Sequence, residues 1–359
     1  MRRRTFLESL GVFAAGVAIE PLPVWAAASS VSTLVGTGTP GFSETQVNQP
    51  YGLVIGPDKR LYFCDLENSR IRSLDLATKR LTTIAGIGQK AYGGDGGSAL
   101  DAPLNMPHEL RFDREGNIYI AERDNHVVRK VAAKTGLIST VAGTGVAGFS
   151  GDGGPGTQAQ LRQPHSIAFD REGALFICDI GNHRIRRLHL DTGVIETFTG
   201  TGEPVATPEG AAVRGAPLRS PRTLAVAPNG DIFVALRDGN AIYRIDAKTQ
   251  TLHRLAGTGQ SGYSGDGDLA IKAKLNGPKG LSYGPDGRLY VADTESHVIR
   301  VVNLKTGIIT TLMGTGERGD GPEPDPLKCK LSRPHALFAV PGALYVADSE
   351  ANRIRLLRL

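Results

Sequence analysis

The sequence has 359 residues, with 41 Lys and Arg against 36 Asp and Glu, and its formal net charge is +5. This small surplus, with no long basic block, argues against nucleic-acid binding. No apolar run is long enough for a lasting membrane span. The length suffices for one large core, and therefore for one domain after any leader.

The first 28 residues predict an export signal. Arg3 and Arg4 precede a short apolar stretch, Leu10–Ile19, and a run of small residues ends at Ala28. A basic start, an apolar stretch and a small-residue cleavage site are typical of secretory leaders, and the paired arginines resemble the twin-arginine type. We therefore expect residues 1–28 to be a signal peptide, residues 29–359 to be the mature domain, and the protein to be periplasmic or secreted.

The rest of the chain repeats with a nearly constant period. Proline recurs at Pro50, Pro107, Pro164, Pro221, Pro278 and Pro334, at spacings of 57, 57, 57, 57 and 56 residues. A repeat of this length predicts a propeller or another array of similar units.

Each repeat contains four short runs of alternating apolar and polar residues, the period of a half-buried strand. In the second copy these runs are Leu110–Phe112, Asn117–Ala121, Val127–Val131 and Leu137–Ala142. Turn residues ending in Gly separate the first two runs, as tight hairpins require. Six copies of four antiparallel strands predict an all-β fold, a six-bladed β-propeller.

The sixth copy lacks its fourth strand, because the chain ends with the third, Arg353–Leu359. The segment 32–38 matches the fourth strand of the other copies. We expect this N-terminal strand to complete the last blade and to close the ring, which removes free sheet edges.

The motif that carries the repeat is Leu-Tyr-Val-Ala-Asp, three variable residues, His or Asn, then x-Ile-Arg, as in Leu289–Arg300 and Leu344–Arg355. It resembles the NHL-repeat family, and the likeness extends over about residues 31–359. The resemblance implies a six-bladed propeller and leaves the activity open, because propellers carry many unrelated functions.

The residue that follows each repeat proline begins an innermost strand, so propeller symmetry predicts that all six face one end of the central channel. We call these residues the axial ring: Tyr51, His108, His165, Arg222, Lys279 and His335. Glu109, by strand alternation, is expected to point to the opposite face and to act at most as a supporting residue.

The composition of the axial ring suggests a ligand site. Arg222 and Lys279 suit a carboxylate or another anion, and Tyr51 is a further ligand-binding candidate. Tyr51 could also move a proton and Arg222 could stabilise an oxyanion, which makes them the catalytic candidates. His108, His165 and His335 are candidate ligands for one divalent metal, with zinc favoured. The alternative is that polar residues simply occupy a solvated channel mouth.

Two segments, Met106–Leu110 and Pro164–Ser166, are similar to parts of peptidyl-hydroxyglycine α-amidating lyase, a family of six-bladed zinc enzymes. That resemblance implies zinc ligation by histidines that follow a proline, here His108, His165 and His335. In the family the ligands come from alternate blades. In this sequence they fall on the second, third and sixth blades, and Arg222 takes the third alternate place.

Other recurrent polar residues are interpreted as structural. One position on the blade flank carries Ser69, His126, His183, Asn240, His297 and Asn352, and we expect these side chains to bond their own blade. The Gly-Asp-Gly loops at Asp95, Asp152 and Asp266 indicate Asp-stabilised turns rather than calcium sites. Cys64 and Cys178 are expected to be small buried residues without a disulfide.

Two functions are therefore open. The first is an exported binding or interaction scaffold that holds a peptide, glycan, protein or small anionic ligand at the axial ring. The alternative is a metal-dependent lyase or hydrolase that acts at the same ring. The repeats are of similar quality and carry no catalytic motif, which favours the binding protein.

Overall fold

The computed structural model describes residues 29–359; the predicted leader lies outside this range. Strands form six antiparallel sheets arranged around a central axis. Counted from the innermost strand outward, blade 1 consists of β2 (Pro50–Ile55), β3 (Leu61–Asp65), β4 (Arg70–Leu74) and β5 (Leu81–Ala85). Blade 2 consists of β6 (Pro107–Phe112), β7 (Ile118–Glu122), β8 (Val127–Val131) and β9 (Ile138–Ala142). Blade 3 consists of β10 (Pro164–Phe169), β11 (Leu175–Asp179), β12 (Arg184–Leu188) and β13 (Ile195–Thr199).

Blade 4 contains β15 (Pro221–Val226), β16 (Ile232–Leu236), β17 (Ala241–Asp246) and β18 (Thr251–Ala256). Blade 5 consists of β19 (Gly280–Tyr283), β20 (Arg288–Asp293), β21 (Val298–Asn303) and β22 (Ile309–Met313). Blade 6 consists of β23 (Pro334–Val340), β24 (Ala343–Asp348), β25 (Arg353–Arg358) and β1 (Ser30–Val35). Short 3-10 turns occur at Gly156–Gln158, Ile180–Asn182, Ala270–Lys272, Thr294–Ser296 and Ser349–Ala351. The six-bladed fold predicted from the repeat is confirmed.

The ring closes as predicted. Strand β1 pairs antiparallel with β25, with Ser30 opposite Arg358 and Val31 opposite Leu357. The innermost strand of the last blade, β23, lies beside the innermost strand of the first blade, β2. Both ends of the described chain therefore belong to one blade.

Blade 4 differs from the others because its sheet has a fifth strand. The two residues Ala211–Ala212 (β14) pair with Leu252 and Thr251 on the outer edge. They belong to the linker that precedes this blade.

The core is distributed between blades. The buried apolar side chains of residues 29–359 form six clusters, one at each interface between neighbouring blades. A sheet that packs both faces in this way buries nearly every position of its middle strands, as β3 and β7 do. Each blade therefore depends on both neighbours for its stability.

The entry to each innermost strand has a distinctive backbone. The residue before each repeat proline has a positive φ, between 49° and 56°: Gln49, Met106, Gln163, Ser220, Gly277 and Arg333. Residues before proline normally prefer extended conformations. This turn directs the linker toward the propeller axis, so that the residue after the proline places its side chain in the channel.

Candidate functional site: the axial ring

The structure brings all six predicted ring residues together at one end of the channel. They are 4% to 9% exposed, so the ring is buried rather than solvated as the alternative interpretation assumed. A cavity of about 10 Å³ remains between them and the strands below, which holds roughly one water molecule. The opposite end of the channel is wider, with a recess of about 500 Å³ lined by strand ends such as Phe169 and Tyr283.

Four of the ring residues are aromatic and pack against one another. Tyr51 stacks on His335, with ring centroids 4.3 Å apart, and meets His108 edge-on at 4.5 Å. The rings of His108 and His165 are 4.4 Å apart. Burial raises the pKa of Tyr51 to about 12, so this phenol stays protonated at neutral pH.

Hydrogen bonds define the tautomers of the three histidines. His165 Nδ1 lies 2.7 Å from the carbonyl of Gln163, and His335 Nδ1 lies 2.7 Å from the carbonyl of Arg333. Because a carbonyl oxygen only accepts, both Nδ1 atoms carry the proton and both Nε2 atoms are acceptors. His108 Nδ1 instead accepts from Arg222 Nη2 at 3.3 Å, so its Nε2 carries the proton.

The histidines are held in the neutral form. Burial, reinforced by the positive charge of Arg222, keeps the pKa of His108 and of His165 well below the ordinary range. Burial and the nearby Lys279 do the same for the pKa of His335. A neutral imidazole offers one donor and one acceptor, which is the form required for hydrogen-bonded recognition.

Arg222 is a buried charge that interacts electrostatically with Glu109, but that carboxylate is bonded to Arg111. Its guanidinium contacts His108, and within residues 29–359 it forms no ion pair with a carboxylate. Burial lowers the pKa of Arg222 to about 10, which still leaves it charged at neutral pH. An isolated buried charge is costly, so its presence needs a compensating partner.

Lys279, by contrast, is neutralised by a chain of ion pairs that the sequence analysis missed. Its Nζ lies 2.6 Å from Glu295 Oε1, and Glu295 also binds Arg333 at 2.6 Å. Arg333 continues to Glu350 at 2.5 Å. Partial burial opposes ionisation of Glu295, yet the hydrogen bonds from Arg333 and Lys279 lower its pKa to about 2.

Glu109 lies in the channel, which corrects the prediction that it would face away. In the pairing of β6 with β7, Pro107 lies opposite Glu122 and Glu109 lies opposite Ala121, so the register shifts at His108. A bulge of this kind breaks strict alternation. Glu109 and His108 consequently line the same cavity, where Glu109 pairs with Arg111 at 2.5 Å.

Whether the ring could bind a metal ion depends on which imidazole nitrogens have a free lone pair. Two of the histidines offer Nε2 as an acceptor, while His108 presents Nε2–H and directs Nδ1 at a guanidinium. In the described range no group of three or more His, Cys, Asp or Glu side chains is placed to hold a metal. The ring as arranged does not match a three-histidine site, and the metal assignment stays a prediction.

The recurrent flank residues are structural, but their partner is the next blade. The Nδ1 atoms of His126, His183 and His297 each accept the N–H of a residue before a repeat proline, at 3.2 Å: Gln163, Ser220 and Arg333. Asn240 and Asn352 accept the same bond through their side-chain oxygen. These inter-blade bonds, which we call latches, support the turn that positions each ring residue.

The Gly-Asp-Gly loops also have a clear structural role. Asp95, Asp152 and Asp266 each lie 2.6 Å from a fully buried arginine of the following blade, respectively Arg129, Arg186 and Arg300. Each of these carboxylates is therefore paired with a buried guanidinium. Blade 4 has no such ion pair. Tyr243 occupies the position of the arginine there, and its hydroxyl donates a hydrogen bond to the carbonyl of Thr207.

Cys64 and Cys178 are free and buried, as predicted, and Cys329 is free and buried as well. Burial raises the pKa of Cys64 and of Cys178 above the ordinary range. No helix in the described part of the chain is long and apolar enough to cross a membrane.

The fold defines the class of the protein as a six-bladed β-propeller, closed by its N-terminal strand. Comparisons with known proteins add the family. Residues 161–188 match the NHL repeat, and residues 254–334 match the teneurin NHL domain. Both matched segments lie within the propeller, and they agree with the resemblance of its repeats to the NHL family.

Curated relatives agree with this assignment. NHL repeat-containing protein 2 of Homo sapiens is 29% identical over 303 residues, covering 76% of this chain and 42% of the relative. Protein SUPPRESSOR OF QUENCHING 1, chloroplastic, of Arabidopsis thaliana is 28% identical over 327 residues, covering 87% of this chain and 30% of the relative. The chain thus spans less than half the length of these two proteins.

Solved structures show the same fold at low identity. An auxiliary nutrient binding protein from Bacteroides thetaiotaomicron matches with a TM-score of 0.68 and 15% identity, over 92% of this chain and 76% of that chain. Virginiamycin B lyase from Staphylococcus aureus matches with a TM-score of 0.53 and 16% identity, over 92% of this chain and 99% of that chain. At these identities the likeness concerns the fold alone.

Proposed function

We propose that this propeller is a binding protein whose axial ring captures an anionic group of its ligand. The observation that carries the proposal is Arg222, a buried guanidinium that forms no ion pair with a carboxylate of residues 29–359. A carboxylate fits the planar guanidinium through two parallel hydrogen bonds. The neutral imidazoles beside it can accept or donate further bonds without adding charge.

Calorimetric titration with acetate and with inorganic phosphate, at constant ionic strength, tests the proposal. The wild-type protein is expected to bind at least one of these anions, and Arg222→Met should weaken that binding at least tenfold. Arg114→Met is the matched control, since Arg114 lies in a turn at the other end of β6. Absence of anion binding to the wild type, or equal binding by Arg222→Met, would refute the proposal.

An enzyme acting at the same ring is the second candidate. It is favoured by the Nε2 acceptors of His165 and His335, which can accept a hydrogen bond from a substrate beside the guanidinium of Arg222. Measuring the metal content by mass spectrometry distinguishes a metal-dependent enzyme from a protein that only binds an anion. About one transition metal per chain, absent from a His108/His165/His335→Ala variant, would favour it over simple anion binding.

We also propose that the protein works outside the cytoplasm. The support is the sequence of residues 1–28, together with a described fold whose cysteines are unpaired, so that folding before export requires no disulfide. Replacing Arg3 and Arg4 with lysine should retain the protein in the cytoplasm of a host that has twin-arginine export. Unchanged export of that variant would contradict the assignment.

A further inference from the structure

A cavity of about 640 Å³ lies between blades 2 and 3, at the end of the propeller opposite the axial ring. Its aromatic wall consists of Phe112 and Phe169, the last residues of β6 and β10, and of Tyr119 on β7. Tyr119 is 2% exposed and meets Phe169 edge-on, with ring centroids 5.2 Å apart, whereas both phenylalanines are half-buried. A cavity of this volume accommodates a small organic ligand, and its rings favour an aromatic group.

Several charged groups of the cavity already have partners. Arg187 pairs with Asp170 at 2.6 Å and with Glu172 at 2.8 Å. Asp113 accepts two backbone N–H groups of its own turn. These side chains therefore stabilise the two walls, and their charges and hydrogen bonds are used within the protein.

The polar groups at the rim are similarly balanced. Arg114 and Glu115 are adjacent, exposed and opposite in charge, and water and salt screen such surface charges. His189 Nε2 lies 3.2 Å from Glu196 Oε1. None of these groups adds an uncompensated charge to the cavity.

Two opposite charges remain. The Nζ atom of Lys130, a half-buried residue of β8, lies 5.6 Å from the ring centroid of Tyr119 and has no ion pair or hydrogen bond within residues 29–359. Asp191, exposed in the turn after β12, also has no side-chain partner in that range. Both line the cavity, Lys130 from blade 2 and Asp191 from blade 3. Each wall therefore offers one unpaired charge, positive on blade 2 and negative on blade 3.

We propose that this cavity binds an aromatic zwitterion, either an aromatic amino acid or a short peptide with an aromatic side chain. The ligand carboxylate pairs with Lys130, its ammonium group pairs with Asp191, and its ring packs on Phe112 and Phe169. A ligand with only one charge leaves the charge on the other wall unpaired, and so gains one ion pair fewer. The site is separate from the axial ring and does not depend on the function proposed for that ring.

Calorimetric titration with probes that each lack one feature tests this proposal. L-phenylalanine has all three features, 3-phenylpropionate lacks the ammonium group, phenethylamine lacks the carboxylate, and L-alanine lacks the ring. The wild type should bind phenylalanine at least tenfold more tightly than each of the other three. The dipeptide L-phenylalanyl-L-alanine, whose charges are further apart, shows by its affinity relative to phenylalanine whether a peptide or a free amino acid fits better.

Two variants assign the charges of the ligand to the two walls. In Lys130→Met the carboxylate has no partner, so phenylalanine and phenethylamine should bind equally. In Asp191→Asn the ammonium group has no partner, so phenylalanine and 3-phenylpropionate should bind equally. Lys134→Met and Asp101→Asn are the matched controls, because both residues are exposed and lie outside the cavity. Both controls should keep the wild-type ratios of affinity.

Three results would overturn the proposal. The first is a wild type that binds neither phenylalanine nor the dipeptide. The second is a wild type that binds phenylalanine no more tightly than 3-phenylpropionate or phenethylamine. The third is tighter binding of phenethylamine by Lys130→Met than by the wild type, because Lys130 and Asp191 would then neutralise each other in solution. Each of these results leaves anion binding at the axial ring, which acetate and phosphate test, unaffected.

Discussion

At the scale of single residues, Arg222 and Arg111 provide a useful contrast. Both place a guanidinium in the channel, but Arg111 has a carboxylate partner in Glu109, while Arg222 has a neutral imidazole. Burying a charge without a counter-charge costs free energy, and replacing it by an apolar side chain of similar size removes that cost. Replacing Arg222 by an apolar side chain should therefore raise the stability of the protein and weaken its binding of the ligand.

We expect Arg222→Met to raise the free energy of unfolding by about 1–2 kcal/mol while it abolishes anion binding. Arg111→Met should lower it by about 3 kcal/mol, because Glu109 would be left buried and unpaired. Urea denaturation followed by circular dichroism measures both changes. A clear loss of stability in Arg222→Met would instead make this arginine a structural member of the ring.

The sequence located the six ring residues because their position relative to each repeat proline is fixed by strand geometry. It could not predict the tautomers of His108 and His165, since these depend on which backbone carbonyl or guanidinium lies beside each Nδ1 atom. Nor could it predict that Glu295 would neutralise Lys279. The available signal was weak: Arg333 is the only charged residue among the six that precede a repeat proline.

At the scale of elements, the latches join each blade to the next at the turn that leads into the axis. Five of the six copies use a His nitrogen or an Asn oxygen as acceptor. The first copy has Ser69, whose buried hydroxyl has no partner among the described residues. The position therefore tolerates different acceptors in five copies, and in the first copy a side chain that forms no latch.

His183 allows the latch to be tested by pH. Its Nδ1 accepts the N–H of Ser220 only when neutral, and burial, outweighing the attraction of Asp238, lowers the pKa of His183. Since the folded-state pKa lies below the unfolded value of about 6.5, the stabilisation is complete above that pH. It is lost as the pH falls through the unfolded value toward the folded one.

We expect His183→Asn to retain the latch, as Asn240 does naturally, and to remove this pH dependence. The wild type should lose stability relative to His183→Asn between pH 7 and pH 5, as measured by urea unfolding at several pH values. His183→Ala should cost about 1–2 kcal/mol at pH 8, because the Ser220 N–H is left unpaired. A constant difference between wild type and His183→Asn at every pH would disprove the mechanism.

At the scale of the whole molecule, the repeat period predicted the architecture well because blade number, strand number and closure follow from it. Among the predicted strands of the second copy, Val127–Val131 has the observed bounds, whereas the innermost strand, predicted at Leu110–Phe112, begins already at Pro107. The fifth strand of blade 4 was not predicted, since Ala211–Ala212 has no strand pattern and pairs only because its linker returns to β18. The bulge at His108 was missed because alternation is assumed wherever a strand is assigned.

Closure by β1 should determine whether the ring behaves as one cooperative unit. Val31 is 1% exposed and packs in the cluster between blades 5 and 6, whereas the neighbouring Ser32 is exposed on the same strand. An Asp at position 31 would bury a charge, while one at position 32 would remain in water. The two substitutions thus change the same strand in different environments.

We expect Val31→Asp to lower the free energy of unfolding by about 3 kcal/mol or more and Ser32→Asp to change it by less than about 0.5 kcal/mol. Hydrogen exchange should show why: in Val31→Asp the amides of β25 lose protection first, because the strand that covers this edge has detached. The exposed edge should also make this variant aggregate on heating. If β25 keeps its protection in Val31→Asp, the blade interfaces alone hold the ring together, and the N-terminal strand merely covers an edge.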